Sequence, residues 1–555
     1  MKKILLTSVL LSTAIGSYAQ NFEWAKRISG TGVNYGNVIK TDASGNVYVG
    51  GSFNGTAEFN NGGSSYELTS TGSGDLFIAK YDASGNFIWA QRGGMIYDDR
   101  IQDLAVDAVG NVYFTGYGGI NSTGTERAMI VGSLNSSGVE LWSHTFTSTQ
   151  GNTGGYAIDV DASGLNVYIG GNFNGTVDFD PSTGSTFNLT TSGTNVNRLD
   201  AFILKLNTSG VFADVWQFEC PSGNATVNGL TLDATGIVYS TGTYGGSAID
   251  CAPGPATANL NSTAMENIFV SKLDANGNNI WAKQLGAGGA AYGRSIDVDA
   301  SGNVYTTGDF LFTADFDPGT NTENLIAIAT NADVFVSKLD ANGDFVWAKS
   351  MGGPDTDRAF DIKVEASGNN VYITGMFEGT ADFYSGPGQQ DLISAGAQDI
   401  FVQKLDTNGD FVWAYNLGSV SGDIGRSIDI DDTGNIYLAG DFTATVDFDF
   451  SSGTASLSSG GNRSVYFTKW SQSQSNVGIS DIEKTNSIVC YPNPTNGLIL
   501  FDKLVEQVNV YELNGKLIHT EQNVNRMDLN HLSKGIYLIQ MRNSSISQTS
   551  RLVVE

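Results

Sequence analysis

The sequence Asp299-Ala-Ser-Gly-Asn-Val-Tyr-Thr-Thr-Gly308 decides the fold, because it contains a tight turn between two strands and recurs along the chain. An acid or amide followed three residues later by glycine is typical of a β-hairpin, in which glycine adopts positive φ and the polar side chain caps the backbone. Glycines at this spacing occupy thirteen positions: Gly45, Gly85, Gly110, Gly138, Gly164, Gly210, Gly236, Gly277, Gly302, Gly343, Gly368, Gly409 and Gly434.

Tryptophan gives the length of the repeat. It recurs at intervals of 53 to 74 residues: Trp24, Trp89, Trp142, Trp216, Trp281, Trp347 and Trp413. In the fifth unit, apolar and polar residues alternate over four segments, which predicts strands at 295–299, 303–307, 334–339 and 345–349. A repeat of this length indicates an array of small sheets.

The seventh unit lacks its tryptophan strand, whereas the chain begins with a spare one at Phe22-Glu-Trp-Ala-Lys26. Pairing the spare strand into the last unit would leave no sheet with a bare edge. We therefore predict an all-β protein, a seven-bladed β-propeller over residues 22–470 that is closed by residues 22–28. The alternative is a linear solenoid, which would need no spare strand.

The recurring phrase is Asp-x-x-Gly-Asn-Val-Tyr-x-x-Gly, present at Asp42–Gly51, Asp107–Gly116 and Asp299–Gly308. It resembles the SBBP-type β-propeller repeat, and the resemblance extends over about residues 22–470. That family is defined by its fold, so the resemblance implies an architecture and no particular reaction.

Both ends of the chain predict export. Two lysines, an apolar run at 4–15 and Ser17-Tyr-Ala19 are typical of a signal peptide, which we place at 1–20. This run is shorter than the roughly 20 residues of a membrane-spanning helix, so a membrane-embedded protein is not expected. A polar linker follows the repeats at 471–487, and alternating runs over 488–555 predict a small Ig-like β-sandwich.

The C-terminal phrases Tyr491–Gly497, Val510–Lys516 and Leu532–Tyr537 resemble the C-terminal sorting domain of type IX secretion (Por secretion system) cargo. The motif residues are Tyr491, Pro492, Asn493, Pro494, Gly497, Gly515, Lys516, Gly535 and Tyr537. The resemblance implies a Gram-negative bacterium of the Bacteroidetes type, the type IX machinery as partner, and delivery to the outer cell surface or the medium. The family often ends with a basic residue, whereas here Arg551 is followed by four non-basic residues.

Net charge restricts the ligands. The chain carries −28, nearly all of it in the repeats. A surface this acidic repels nucleic acid and anionic lipid, so we expect cations, neutral glycans or basic proteins instead. Two cysteines, Cys220 and Cys251, lie in the repeats of an exported chain, which allows a disulfide. Their repeat positions hold large apolar residues in other units, which favours two core thiols.

Few residues in the chain are of the types and spacings that catalytic sites use. The chain has three histidines, and His144 lies near no cysteine or acid pattern, so no catalytic residue and no zinc site are predicted. Acid pairs flank a phenylalanine and place two hard oxygen ligands on one strand face, which suggests Ca²⁺ as a cofactor. The pairs are Asp178 with Asp180, Asp315 with Asp317, and Asp447 with Asp449. The alternative is a solvent-facing outer hairpin.

Four arginines lie five or seven residues before the turn acid of their repeat, which places them on the same strand face. They are Arg100, Arg294, Arg358 and Arg426. They would either form salt bridges with blade acids or line a ligand-facing mouth. The sequence thus predicts a monomeric, non-enzymatic extracellular binding, adhesion or scaffold protein that contacts glycans or protein. The alternative is a secreted glycan-active hydrolase or lyase, which would require channel residues that differ between blades.

Overall fold

The computed structural model describes residues 20–60, 63–262, 265–386, 388–450, 453–472, 488, 490–491, 495, 497–512, 516–543 and 547–554. The chain divides near residue 473 into two compact units. Most of the predicted signal peptide and of the linker lies outside the described residues. Across the described ranges, every regular element is a strand, and none is a helix long and apolar enough to cross a membrane. The predicted all-β class is confirmed.

The larger unit consists of four-stranded antiparallel sheets that follow one another along the chain, and we call these sheets blades. Blade 1 contains Asn34–Thr41, Val47–Phe53, Asp75–Tyr81 and Phe87–Gly93; blade 2 contains Asp99–Val106, Val112–Gly119, Arg127–Leu134 and Glu140–Phe146. Blade 3 contains Thr153–Val160, Asn166–Phe173, Asp200–Asn207 and Phe212–Phe218; blade 4 contains Ala225–Leu232, Val238–Gly245, Glu266–Leu273 and Asn279–Leu285. Blade 5 contains Ala290–Val298, Val304–Leu311, Asp333–Leu339 and Phe345–Met351; blade 6 contains Arg358–Val364, Asn370–Asp382, Asp391–Asp406 and Phe411–Leu417.

Blade 7 takes its outer strand from the other end of the chain. Its strands are Ile424–Ile430, Ile436–Phe442, Ser464–Gln472 and Gln20–Gly30. The N-terminal strand pairs antiparallel with Ser464–Gln472, from Gln20 opposite Gln472 to Ile28 opposite Val465. Its last residues pair with Ala57 and Glu58 of a hairpin in blade 1. This pairing is the one that the closure hypothesis requires.

The first strand of each blade is its inner strand. Successive inner strands contact one another in chain order, and the inner strand of blade 1 also contacts that of blade 7. All seven inner strands line one central channel. The blade cores lie between adjacent sheets, where Tyr48, Tyr168, Tyr305 and Tyr437 are buried side chains of the second strands.

The repeat tryptophans connect neighbouring blades. In five of them the indole Nε1 donates a hydrogen bond to a carbonyl in the outer turn of the next blade: Trp24 to Ala83, Trp89 to Ser136, Trp142 to Thr208, Trp281 to Ala341 and Trp347 to Thr407. Trp413 differs, because its buried Nε1 has no hydrogen-bond partner in the described part of the chain. Blade 7 has no outer turn there, since its two outer strands come from opposite ends of the chain.

Short outer hairpins join the second and third strands of six blades. They are Thr56–Glu58 with Glu67–Thr69, Thr176–Asp178 with Asn188–Thr190, Ala248–Asp250 with Asn259–Asn261, Thr313–Asp315 with Asn324–Ile326, and Thr445–Asp447 with Ser456–Ser458. In blade 6 the hairpin is continuous with the long strands Asn370–Asp382 and Asp391–Asp406. Blade 2 has a tight connection instead, which explains its short tryptophan interval.

The smaller unit contains Cys490–Tyr491, Leu498–Tyr511, Leu517–Asp528, Gly535–Arg542 and Ser547–Val554. These strands form one hydrogen-bonded five-stranded sheet around a buried apolar core that includes Val508, Ile539 and Leu552. The small Ig-like β-sandwich stays a prediction for this unit. The long strand 498–511 pairs with both 517–528 and 535–542, which joins the strands into one sheet.

Candidate functional site

Every inner strand contains a β-bulge five residues before the acid of its hairpin turn. In blade 1, Gly36 pairs with Gly51 and Val38 pairs with Gly50, so Asn37 has no residue opposite it. The extra residue of a bulge is not paired with the neighbouring strand, and its side chain points in a different direction from those of the regular strand. The bulged residues differ between blades and line the channel: Asn37, Gln102, Tyr156, Asn228, Arg294, Phe360 and Arg426. The repeat therefore directs a variable side chain from each blade to the same end of the channel, which we call the mouth.

The last glycine of the repeat phrase is required by this bulge. A Cβ atom at Gly51 would lie 1.9 Å from the carbonyl oxygen of Tyr35, and one at Gly308 would lie 1.9 Å from that of Tyr292. The same distance separates a Cβ at Gly375 from the carbonyl oxygen of Arg358. The phrase that identifies the repeat thus also fixes the backbone of the mouth.

The channel, including its mouth, has a volume of about 290 Å³, and its lining beyond the mouth is charged. The charged side chains are Lys40, Asp103, Asp159, Asp297, Asp361, Lys363 and Asp429. Asp103 accepts a hydrogen bond from the backbone N–H of Ile158 in the next blade (3.0 Å). Asp429 of blade 7 accepts one from Thr41 of blade 1 (2.8 Å). The channel acids therefore connect neighbouring inner strands.

Lysines balance part of this negative charge. Lys40 lies 3.8 Å from Asp103, and Lys363 lies 3.4 Å from Asp297. Burial works to lower the pKa of Lys40, but the surrounding acids, Asp103 first, outweigh it and raise that pKa. Burial raises the pKa of Asp103 to about 6, against the opposing effect of Lys40. The lining is thus a compact network of opposite charges that differs from blade to blade.

This charge network was not predicted from the sequence. The channel residue two positions before the turn acid is Lys40, Thr231 or Asp297 depending on the blade. The signal was present, because inner-strand residues two and four positions before the turn acid share one strand face. Aligning the units by those positions would have revealed it.

Three of the four predicted arginines, Arg100, Arg294 and Arg426, lie at the mouth in a chain of contacts with aromatic rings. The Arg426 guanidinium lies 5.9 Å from the ring centres of both Tyr35 and Phe360. Arg294 packs on Phe360 (5.3 Å), and Arg100 packs on Tyr35 (4.8 Å). Cation–π contacts of this kind hold planar guanidinium groups in place. We call Tyr35, Arg100, Arg294, Phe360 and Arg426 the mouth belt.

The salt-bridge role proposed for the arginines is also present. Arg100 lies 3.2 Å from Asp98, and Arg294 and Arg358 both face Asp309. Equivalent geometry recurs in blade 7, where Arg426 and Arg463 both bind Asp441. The carboxylates Asp309 and Asp441 are almost fully buried. Each of these two carboxylates is shared by two arginines.

Buried acids near the mouth make stability depend on pH. Burial raises the pKa of Asp357 to about 8 and of Asp333 to about 7, above the value near 3.9 of an unfolded chain. At pH values between the unfolded and folded pKa, the folded protein binds more protons than the unfolded chain. Its free energy of unfolding therefore falls as pH rises, by about 1.4 kcal/mol per pH unit for each of these groups. We expect the melting temperature to rise when pH is lowered from 8 to 5.5.

Scanning calorimetry of Asp357→Asn should show a smaller pH slope. The substitution Asp432→Asn removes an exposed carboxylate in another blade and serves as the control with an unchanged slope. A melting temperature that falls steadily between pH 8 and 5.5 in the unmodified chain would contradict this expectation.

The first acid of each predicted calcium pair caps an outer hairpin. Asp178 accepts hydrogen bonds from the N–H groups of Asp180 (3.1 Å) and Phe187 (2.8 Å), and Asp315 repeats the pattern. Within the described ranges, no three His, Cys, Asp or Glu side chains are grouped to hold a metal ion. Calcium binding by Asp178, Asp180, Asp315, Asp317, Asp447 and Asp449 stays a prediction, with hairpin capping as the role of the first acids.

The remaining candidates have structural roles. Cys220 and Cys251 are free, buried thiols in the core between blades 3 and 4, and burial raises the pKa of Cys220 to about 12. His144 stacks on Trp142, and its Nε2 lies 2.8 Å from the carbonyl oxygen of Gly210. It therefore belongs to the contact between two blades.

Part of the sorting motif lies within the described residues. Lys516 lies 3.8 Å from Glu512, and the Tyr537 hydroxyl donates to the carbonyl oxygen of Ser533 (2.7 Å). Gly497 has a φ of 114°. The motif residues Pro492, Asn493, Pro494 and Gly515 lie outside the described residues.

Comparisons with curated proteins give distant relatives. An uncharacterized WD repeat-containing protein of Acanthamoeba polyphaga mimivirus is 23% identical over 494 residues, which cover 77% of this chain and 32% of that protein. The regulatory protein FlaEY of Caulobacter vibrioides is 26% identical over 214 residues, 37% of this chain and 22% of that protein. The chain spans about a third or less of the length of these relatives.

Solved structures resemble the chain only weakly. A quinohemoprotein alcohol dehydrogenase from Pseudomonas putida gives a TM-score of 0.38 at 13% identity, covering 86% of this chain and 79% of that one. The extracellular domain of a putative hybrid two-component system from B. thetaiotaomicron gives 0.17 at 11% identity, covering 97% and 98%. Similarities at this level carry no argument about function.

Two family models match parts of the chain. The model described as a β-propeller repeat, SBBP, matches residues 280–309, and the model described as a secretion system C-terminal sorting domain matches residues 489–555. Both resemblances found in the sequence are thereby confirmed. The chain therefore carries an SBBP-type β-propeller repeat and a type IX sorting domain, which directs it to the cell surface or the extracellular space.

Proposed function

We propose that this exported propeller is a non-enzymatic binding protein that contacts an extracellular glycan or protein through the mouth of its channel. The observation that carries the proposal is the mouth belt. Five blades contribute to it, and each contributes a side chain that the fold directs to the same end of the channel. Guanidinium groups and aromatic rings are enriched at recognition surfaces, where they provide most of the binding energy.

A glycan-active hydrolase or lyase is the second candidate, and one observation favours it. The channel charges differ between blades, which is the condition that we set for an enzyme. Against it, the channel acids are already engaged: Asp361 accepts hydrogen bonds from Ser295, Ser427 and Ile428 of neighbouring blades. A carboxylate held in this way stabilises the contact between blades and has little freedom to act as an acid or base.

A glycan array combined with a polysaccharide digestion screen tests the proposal. We expect the full chain to retain specific saccharides on the array and to release no reducing ends from any polysaccharide in the screen. Arg426→Gln should reduce array binding at least tenfold, because it removes the guanidinium between two aromatic rings of the belt. New reducing ends that disappear in Asp103→Asn would support the enzyme instead, and binding that is unchanged in Arg426→Gln would exclude the mouth as the binding site.

A further inference from the structure

A pocket of about 410 Å³ lies between blades 5 and 6, beside the mouth belt. Its lining includes Tyr292 and Arg294 from the inner strand of blade 5 and Arg358 from that of blade 6. Thr330 and Asn331 line it as well. Its volume is within the range of small-molecule sites. Its polar lining combines two guanidinium groups, hydroxyls and an amide with one carboxylate, that of Asp309.

Two arginines in this pocket share one buried carboxylate. Arg294 is hydrogen-bonded to Asp309, whereas the Nε of Arg358 lies 3.7 Å from the same carboxylate, too far for a hydrogen bond. That Nε is buried and has no hydrogen-bond partner in the described part of the chain. The Arg358 side chain remains 43% exposed. Arg358 therefore has donor capacity that the protein itself does not use.

Further acids lie around the pocket. Asp333 adjoins the lining residue Ala332 in sequence, Asp355 and Asp357 adjoin Thr356, and Glu266 acts electrostatically on Tyr292. Burial raises the pKa of Asp333 to about 7 and of Asp357 to about 8, and it also raises the pKa of Glu266. The pocket lining itself holds two guanidinium groups against one carboxylate, that of Asp309.

We propose that this pocket binds the carboxylate of a uronic-acid residue in an extracellular polysaccharide, with Arg358 as its anchor; this rests on the proposed function of the mouth. A guanidinium binds a carboxylate through two parallel N–H donors, which a neutral sugar cannot replace. Thr330 and Asn331 supply hydrogen-bonding groups for sugar hydroxyls, and Tyr292 supplies an aromatic ring.

This proposal differs from what net charge predicts. The charge of −28 favoured neutral or cationic ligands over anionic ones. Exposed charges further away than the Debye length of roughly 8 Å at physiological salt are largely screened. The arginines that line the pocket are therefore expected to decide local recognition, and the acids on outer turns are expected to have little effect on it.

Calorimetric titration of the full chain with oligosaccharides of polygalacturonate, alginate and hyaluronan tests the proposal. We expect at least one of these uronates to bind, and its carboxyl-methylated form to bind at least tenfold more weakly. Arg358→Gln should weaken binding at least tenfold. Arg358→Lys should weaken it less, because lysine retains the positive charge but lacks the two parallel N–H donors of a guanidinium. The control is Lys349→Gln, which removes a positive charge paired with Asp410 outside the pocket and should leave the affinity unchanged. Melting curves confirm that each variant folds.

The outcomes separate this inference from the proposed function. Equal binding of the acidic and methylated forms, or unchanged affinity in both Arg358 variants, overturns the uronate assignment and leaves a glycan-binding function intact. If none of the three uronates binds but a neutral glycan binds on the array, the uronate assignment is likewise overturned and the glycan-binding function stands. Lack of binding to every glycan and protein tested overturns both proposals.

Discussion

A chain that begins at Thr31 is expected to lose the single cooperative melting transition of the propeller. The deletion removes the strand Gln20–Gly30, which pairs with Ser464–Gln472 and also reaches the hairpin of blade 1. It removes the buried side chain of Ile28 and the indole of Trp24 from the core that blades 7 and 1 share. The row of unpaired backbone groups left on Ser464–Gln472 should promote aggregation. This is the largest effect that we predict.

Scanning calorimetry and light scattering measure the result, and a peptide in trans provides the control. A synthetic peptide of residues 20–30 should restore the transition by adding a strand to the exposed edge, whereas a scrambled peptide of the same composition should not. If the shortened chain melts at the same temperature as the full chain, the N-terminal strand does not close the ring and the proposed architecture fails.

Gly308→Ala is expected to destabilise the propeller by about 3 kcal/mol or more, at the upper end of what overpacking costs. The new Cβ would lie 1.9 Å from the carbonyl oxygen of Tyr292, which is backbone and cannot rotate away. The bulge at Arg294 must therefore shift or open. Because Arg294 and Tyr292 line the proposed uronate pocket, ligand affinity should fall together with stability.

Gly184→Ala is the matched control. A Cβ at Gly184 would meet no other atom within 4 Å, so the same substitution there should change the free energy of unfolding by less than about 0.5 kcal/mol. Urea unfolding of both variants gives the comparison. Equal stability of Gly308→Ala and the unmodified chain would mean that the bulge accepts a side chain, and the explanation of the final repeat glycine would be wrong.

The propeller class could be predicted from the sequence because its signals are local. The turn phrase Asp299–Gly302 specifies a hairpin through the φ of one glycine, 78° at Gly302, and strand alternation specifies a buried face. Repetition of these signals does the rest, since identical units stack in the same way. The sorting domain was predictable for a different reason, because its phrases match a known family.

The candidate site was only partly predictable. The four arginines were found from their distance to the turn acid, but their contacts were not, because a bulge inserts one residue into each inner strand and alters the alternation on which parity arguments depend. The partners Asp309 and Asp441 come from the second strands of the same blades, fifteen residues after Arg294 and Arg426. The sequence shows that the final glycine of the phrase recurs, but the carbonyl oxygen that excludes a side chain there is seen only in the structure.

By itself, the sequence determined the repeat, its turns, its strand pattern and its route out of the cell, because each depends on residues close together along the chain. Only the tertiary structure decided which side chains share the channel and the mouth. Those neighbours lie on different blades, about 65 residues apart or, for Thr41 and Asp429, at opposite ends of the propeller. Their contacts exist only when the blades are arranged around one axis, so no local pattern could encode them.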